Sequence, residues 1–221
     1  MDPAKGKYTV SFDRAPPPTG NVVQRRWEKP ALSWVKLNTD GSFVSSEEAG
    51  VGMILRNSVG EIVFSACRAL FSCRDALEAE LCACMEGLSS AIQRSELPIV
   101  IETDSTEMVS MLNEGGVNRS AYASLVNEIR FLLTLRQVCI THVPRSQNKA
   151  ADGLASFGRI TGRTMTWLNL GPADVLEVVA EDCKEPVLSN TFLSSQKKVF
   201  TIFVVSYIFV LFLRPPRASF L

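Results

Sequence analysis

Histidine occurs once in the 221 residues, as His142. The six cysteines are Cys67, Cys73, Cys82, Cys84, Cys139 and Cys183, and no two of them form a C-x-x-C pair. With one histidine and no paired cysteines, a zinc site of the usual ligand spacing is not expected. Net charge is also missing, since 23 Lys/Arg balance 23 Asp/Glu. The opening stretch MDPAKGKYTVSFDRAPPPTG has no apolar core of a secretory signal. Unpaired cysteines at positions that read as core faces behave as small hydrophobes, so the expectation is a reduced, intracellular protein of the nucleus or cytoplasm. An uncharged run of spanning length is lacking too. VFTIFVVSYIFVLFL (199–213) has fifteen residues, whereas a spanning helix needs about 20 and rarely fewer than about 17. Its flanks, Lys197-Lys198 and Arg214-Pro215-Pro216-Arg217, keep a C-terminal membrane anchor open beside a buried tail or residues appended by an altered reading frame.

Hydrophobic residues make up 46% of the chain and charged residues 21%, enough for one domain of ordinary size with substantial tails. The balanced charge is unevenly spread. Residues 1–30 carry six Lys/Arg against three Asp/Glu, and residues 31–160 carry eleven against fifteen. An acidic domain is a poor electrostatic match for nucleic acid unless several of its carboxylates converge on divalent metal.

Residues 1–31, with Pro16-Pro17-Pro18 and no sustained periodicity, read as a disordered leader. In WVKLNTD, Val35, Leu37 and Thr39 alternate with Lys36, Asn38 and Asp40, the period of a strand. AGVGMILRN (49–57) and EIVFSACRA (61–69) follow across a tight turn at 58–61, which predicts an antiparallel meander. From Leu77 the apolar residues Leu81, Cys84, Met85, Leu88, Ala91 and Ile92 recur at helical spacing, and Pro98 precedes the β-branched run Ile99-Val100-Ile101. Helices over 105–113 and about 120–135 are separated by Gly115-Gly116. A strand over 136–143 stops at Pro144, and a helix over about 148–158 ends with Gly158 at C′. The order predicts an α/β domain over 32–160 with a five-stranded mixed sheet: three antiparallel strands, then α-β-α-α-β-α, flanked by helices. Residues 161–198 form an extension with one short helix after Pro172.

Four acids stand at places where α/β folds build chemistry. Each has a plainer reading. Asp40 precedes Gly41 and, taken alone, reads better as a turn residue. Asp104, before Ser105-Thr106-Glu107, reads as a helix N-cap. Glu80 and Glu78 flank the apolar stripe on opposite edges, and periodicity does not choose between them, while Glu86 points to solvent. Asp152 suits the favourable first turn of a helix without any further role. Together these acids would suit hard divalent cations such as Mg²⁺, which prefer carboxylate oxygens.

WVKLNTDGSF (34–43), AGVGMILRNSVGEIV (49–63), ALEAELCACMEGL (76–88), IVIETDSTEMV (99–109) and HVPRSQNKAADGLA (142–155) resemble the type 1 ribonuclease H domain. The likeness is to its reverse-transcriptase-like group, abundant in plants, and it covers about 34–160. It implies the ribonuclease H-like fold and cleavage of the RNA strand of an RNA–DNA hybrid, helped by two Mg²⁺ ions or by Mn²⁺ in their place. The A-E-L-x-A pattern places the ligand at Glu80 rather than Glu78. By the same resemblance Asp40, Glu80, Asp104 and Asp152 are metal-binding carboxylates, with Asp40 bridging the ions. His142 is the mobile catalytic histidine, and His142-x5-Asn148-x3-Asp152 keeps the family's spacing. Gly41, Ser42, Asn148 and Arg145 are implied substrate contacts.

Two features depart from the family. FSCRDALEA lacks an asparagine-rich turn before Glu80, and 113–136 carries no lysine-rich handle. Lys36, Arg56, Arg68, Arg74, Arg145 and Lys149 are the candidate phosphate contacts. The expected partner is an RNA–DNA hybrid, with a membrane through 199–213 as a further one, and the expected state is a monomer. The rival expectation is a non-catalytic nucleic-acid-binding domain of retroelement origin.

Overall fold

The computed structural model describes residues 8–12 and 25–184. The run 199–213 and the extension beyond 184 lie outside the described residues. Among the described residues no helix is long and apolar enough to cross a membrane.

Strand β1 (Tyr8–Phe12) precedes the meander β2 (Val35–Ser45), β3 (Glu48–Arg56) and β4 (Ile62–Leu70). Then come helix α1 (Ala76–Arg94), β5 (Ile99–Thr103), α2 (Thr106–Asn113), α3 (Ala123–Thr134) and β6 (Val138–His142). A 3₁₀ turn at Arg145–Gln147 leads into α4 (Lys149–Thr161), followed by β7 (Met165–Leu168) and α5 (Ala173–Asp182). The sheet order is β1-β6-β5-β2-β3-β4-β7, with β1, β6, β5 and β2 parallel and the remaining pairs antiparallel.

The meander and the helix–strand alternation stand where periodicity put them. α1 buries Leu77, Leu81, Cys84, Leu88 and Ala91, and each large aliphatic among them contributes about 1.5–3 kcal/mol when fully buried. Asp75 caps that helix by accepting from the Glu78 N–H at 3.0 Å. The α1 and α3 face covers the principal core with Leu37, Val51, Leu55, Phe64, Ile99, Ile101 and Ile140. α4 and α5 cover the opposite face over a smaller core of Ile54, Cys67, Ala150, Leu154 and Val175. α4 can lie this close because of Gly52, where a Cβ would come within 2.2 Å of the Ala151 carbonyl oxygen.

Four expectations are corrected. The sheet has seven strands rather than five, because β1 and β7 extend its two edges. Four-residue β7 is too short to display a period, and pairing with β4 is what makes it a strand. The leader is not without structure through residue 31: Tyr8–Phe12 pairs with β6, and Trp27 is only 3% exposed against Arg56. Gly158 lies inside α4, where its missing Cβ lets the helix approach the Arg68 backbone (3.2 Å from an added Cβ). The left-handed residue ending α4 is Gly162, at φ 65°. Finally, Glu86 does not face free solvent: its two carboxylate oxygens share the single Arg68 Nε hydrogen, at 2.9 and 3.0 Å. The short helix expected after Pro172 is α5.

Candidate metal centre at the carboxyl ends of the central strands

β5 ends at Thr103 and β6 at His142, which are register partners, while β2 runs on past both. The ends of the parallel strands therefore open a crevice beside β2, the place where open α/β sheets present reactive groups. Asp40 lies on β2 opposite Gly52 of β3 and is 5% exposed, so it occupies the interior of a strand and not a turn. Gly41, next to it, touches α1: a Cβ there would stand 2.5 Å from the Glu80 nitrogen and 2.6 Å from the Ala79 carbonyl carbon. That close approach brings Glu80 to the strand. Glu78 is turned away and accepts from the Arg74 N–H at 2.5 Å. Asp104 follows β5 directly. The cap of α2 is Ser105, whose Oγ accepts from the Met108 N–H at 3.2 Å, so the Asp104 carboxylate is free for other work.

Asp40, Glu80 and Asp104 each offer an oxygen, and these oxygens all lie within 4.8 Å of one another. Burial, then the charges of Glu80, Asp104 and Asp152, push the Asp40 carboxyl up to about 9. Burial, then Asp104, push Glu80 up to about 8, against a lowering hydrogen bond from the Gly41 backbone. One Glu80 oxygen, Oε2, is sealed from solvent with no hydrogen-bond partner. A buried acceptor without a donor is costly; clustered carboxylates pushed toward neutrality are stabilised by a cation. The donor set, all hard oxygen, fits Mg²⁺ or Mn²⁺.

The other expected residues surround this trio. The Asn148 Nδ2 donates to Asp40 Oδ1 at 3.3 Å, to Asp104 Oδ1 at 3.2 Å and to the Thr39 carbonyl at 3.0 Å, its two hydrogens shared among three acceptors. His142, half-buried at the end of β6, donates through Nε2 to the Asp104 carbonyl at 3.2 Å. Asp152 stands in the first turn of α4, outside the close trio, and accepts from exposed Arg145 at 2.5 Å. Ser42 accepts from the Arg159 Nε at 2.9 Å.

Three of the candidate phosphate contacts have other work. Lys36 is buried against Glu102 at 2.6 Å. Arg56 is wholly buried, paired with Asp182 at 2.8 Å, and Arg68 is bound to Glu86. Arg74 and Lys149 remain exposed. Sequence reasoning gave no role to Asn38, which is fully buried beside Asn148 and Arg56. The available signal was the polar face of β2, Lys36-Asn38-Asp40, which reads as solvent-facing until α4 is laid over it.

Residues 38–158 match the family described as reverse transcriptase-like. A candidate ribonuclease H protein of Arabidopsis thaliana is 30% identical over 158 residues, an alignment spanning 71% of this chain but only 25% of that protein. The fold is similar to ribonuclease H1 of the halophilic archaeon Halobacterium salinarum, with TM-score 0.53 and 24% identity over 59% of this chain and 99% of that one. It is also similar to LC11 ribonuclease H1 solved in complex with an RNA/DNA hybrid, with TM-score 0.52 and 18% identity over 58% and 98% of the two chains. These likenesses carry the expected ribonuclease H-like α/β fold.

Proposed function

Because the chain belongs to the reverse transcriptase-like family of ribonuclease H-type domains, we propose that it cleaves the RNA strand of an RNA–DNA hybrid endonucleolytically and with divalent metal. The observation that carries this reading is the convergence of Asp40, Glu80 and Asp104 from three separate elements within 4.8 Å. The sealed, partnerless Glu80 Oε2 adds to it. Asp40, Glu80 and Asp104 would hold Mg²⁺, or Mn²⁺ in its place, with Asp152 completing the set. When bound, such cations lower the pKa of an attacking water and neutralise charge on the departing oxygen.

The chain's own residues do the rest. Asn148 keeps the Asp40 and Asp104 carboxylates oriented. His142, tethered at the crevice rim, moves a proton to or from the reacting phosphate oxygens. Arg145 at 75% side-chain exposure meets a phosphate of the hybrid, and Gly41 and Ser42, next to Asp40 on β2, contact the hybrid in turn. RNA is told from DNA by its 2′-hydroxyls.

One observation favours a second reading, a nucleic-acid-binding domain without turnover. Lys36, Arg56 and Arg68 are held in ion pairs within the chain, which leaves Arg74, Arg145 and Lys149 of the six candidate contacts exposed for the backbone of a hybrid. A labelled RNA–DNA hybrid, incubated with the full chain and Mg²⁺ beside single-stranded RNA and DNA duplex controls, tests the proposal. Internal cleavage of the RNA strand of the hybrid alone is expected. Binding without cleavage would replace it with the second reading.

A further inference from the structure

Arg56 is a fully buried guanidinium on β3, a costly placement unless its charge and donors are answered. Asp182 of α5 accepts from the Arg56 Nη1 at 2.8 Å, and the Arg56 Cζ lies 3.5 Å from the ring centroid of Trp27. Its Nη2 donates inward, to Asn38 Oδ1 at 3.1 Å. A guanidinium only donates, so the Asn38 amide has one admissible orientation here. Its oxygen faces Arg56 and its Nδ2 faces the other way, donating to Glu102 Oε2 at 3.0 Å and Asn148 Oδ1 at 3.2 Å. Glu102 is itself held by Lys36. With its oxygen occupied, Asn148 must turn Nδ2 toward Asp40 and Asp104. The reversed amide would set an oxygen against two carboxylates.

We propose that Arg56 and Asn38 are positioning residues that fix the Asn148 amide as a donor to the metal-site carboxylates. The polarity starts at a group that cannot accept and passes from β3 through β2 to the start of α4. It holds Asp40 and Asp104 at their spacing before any cation arrives. Two of the groups that keep Arg56 in place, Trp27 and Asp182, fall outside the 38–158 family match. This chain therefore builds the back of its site from its flanks.

The proposal rests on the metal-centre reading above, and a double-mutant cycle on the full chain tests it. Mn²⁺ binding is measured by calorimetry for wild type, Asn38→Leu, Asn148→Ala and the double variant, with folding checked by circular dichroism. Asn38→Leu is expected to weaken Mn²⁺ about tenfold in the wild-type background and less than twofold when Asn148 is already alanine. On the hybrid its kcat falls while KM stays within about twofold. Equal weakening in both backgrounds, or none in either, overturns the relay. Should Asn38→Leu fail to fold, Arg56→Lys carries the same cycle, since one ammonium on a shorter stem cannot serve Asp182 and Asn38 together. Loss of folding in both variants makes the network purely structural and overturns the proposal. A wild type that binds Mn²⁺ without cutting hybrid refutes the nuclease alone and leaves the cycle to decide the relay. A wild type that does not bind Mn²⁺ refutes both.

Discussion

Replacing Asp40 by asparagine should make the metal-free protein more stable at neutral pH while removing its proposed chemistry. The Asp40 carboxyl is pushed up to about 9 in the fold, from 3.8 in the absence of burial and neighbouring charges. A folded-state pKa raised on an acid means that folding takes up a proton once the pH exceeds the unfolded value. The destabilisation is therefore absent below pH 4 and grows as the pH rises toward 9. At pH 7 it amounts to about 4 kcal/mol for a fully rigid site, and about 2–4 kcal/mol with some relaxation. Asparagine removes that proton uptake, and its amide can donate to Asp104 as a protonated Asp40 would. Urea unfolding in EDTA should show Asp40→Asn more stable than wild type at pH 7, with the difference vanishing near pH 4. Each kcal/mol corresponds to about 2–4 °C in Tm for a domain of this size. Added Mg²⁺ should raise the stability of wild type and leave the variant almost unmoved. A variant less stable than wild type at pH 7 in EDTA, or a gain independent of pH, would refute the electrostatic account of the site.

Glu80→Gln should abolish Mn²⁺ binding by calorimetry, whereas Glu78→Gln should leave it within about twofold, because the Glu78 carboxylate is engaged with the Arg74 N–H. Gly41→Ala should cost about 1–3 kcal/mol in a urea melt, since its methyl would collide with the backbone of Ala79 and Glu80, which cannot swing aside. Ser105→Ala should cost about 1 kcal/mol of stability without changing metal affinity. Equal loss of affinity from Ser105→Ala would mean that the cap and the ligand are not separable.

Elements with a long enough period were legible in the sequence: α1 from its stripe of Leu77, Leu81, Cys84 and Leu88, and β2 from its alternation. What alternation could not convey is what covers each face. Lys36, Asn38 and Asp40 look like a wet strand face, yet α4 packs over β2, and the burial is tolerated only because Glu102, Arg56 and Asn148 answer each polar group. The partners of Arg56 come from positions 27 and 182, far beyond any local signal, so a buried structural arginine resembled a surface phosphate contact. Glycine misleads for a related reason: Gly158 serves a close helix–sheet approach that only the packed layers reveal, while Gly162 carries the left-handed turn. The acids were legible as a set through the family resemblance. Their local alternatives, turn at Asp40 and cap at Asp104, fall away once β2 continues through one and Ser105 caps beside the other.

We propose that the carboxylate trio serves metal-dependent cleavage of hybrid. Its most direct measurement is the Mg²⁺-dependent rate at which the full chain and its Asp40→Asn variant cut the RNA strand of an end-labelled RNA–DNA hybrid. Internal cleavage is expected that EDTA abolishes and that falls at least about a hundredfold in the variant. Cleavage by the variant at the wild-type rate, or none by wild type above that variant, would contradict it.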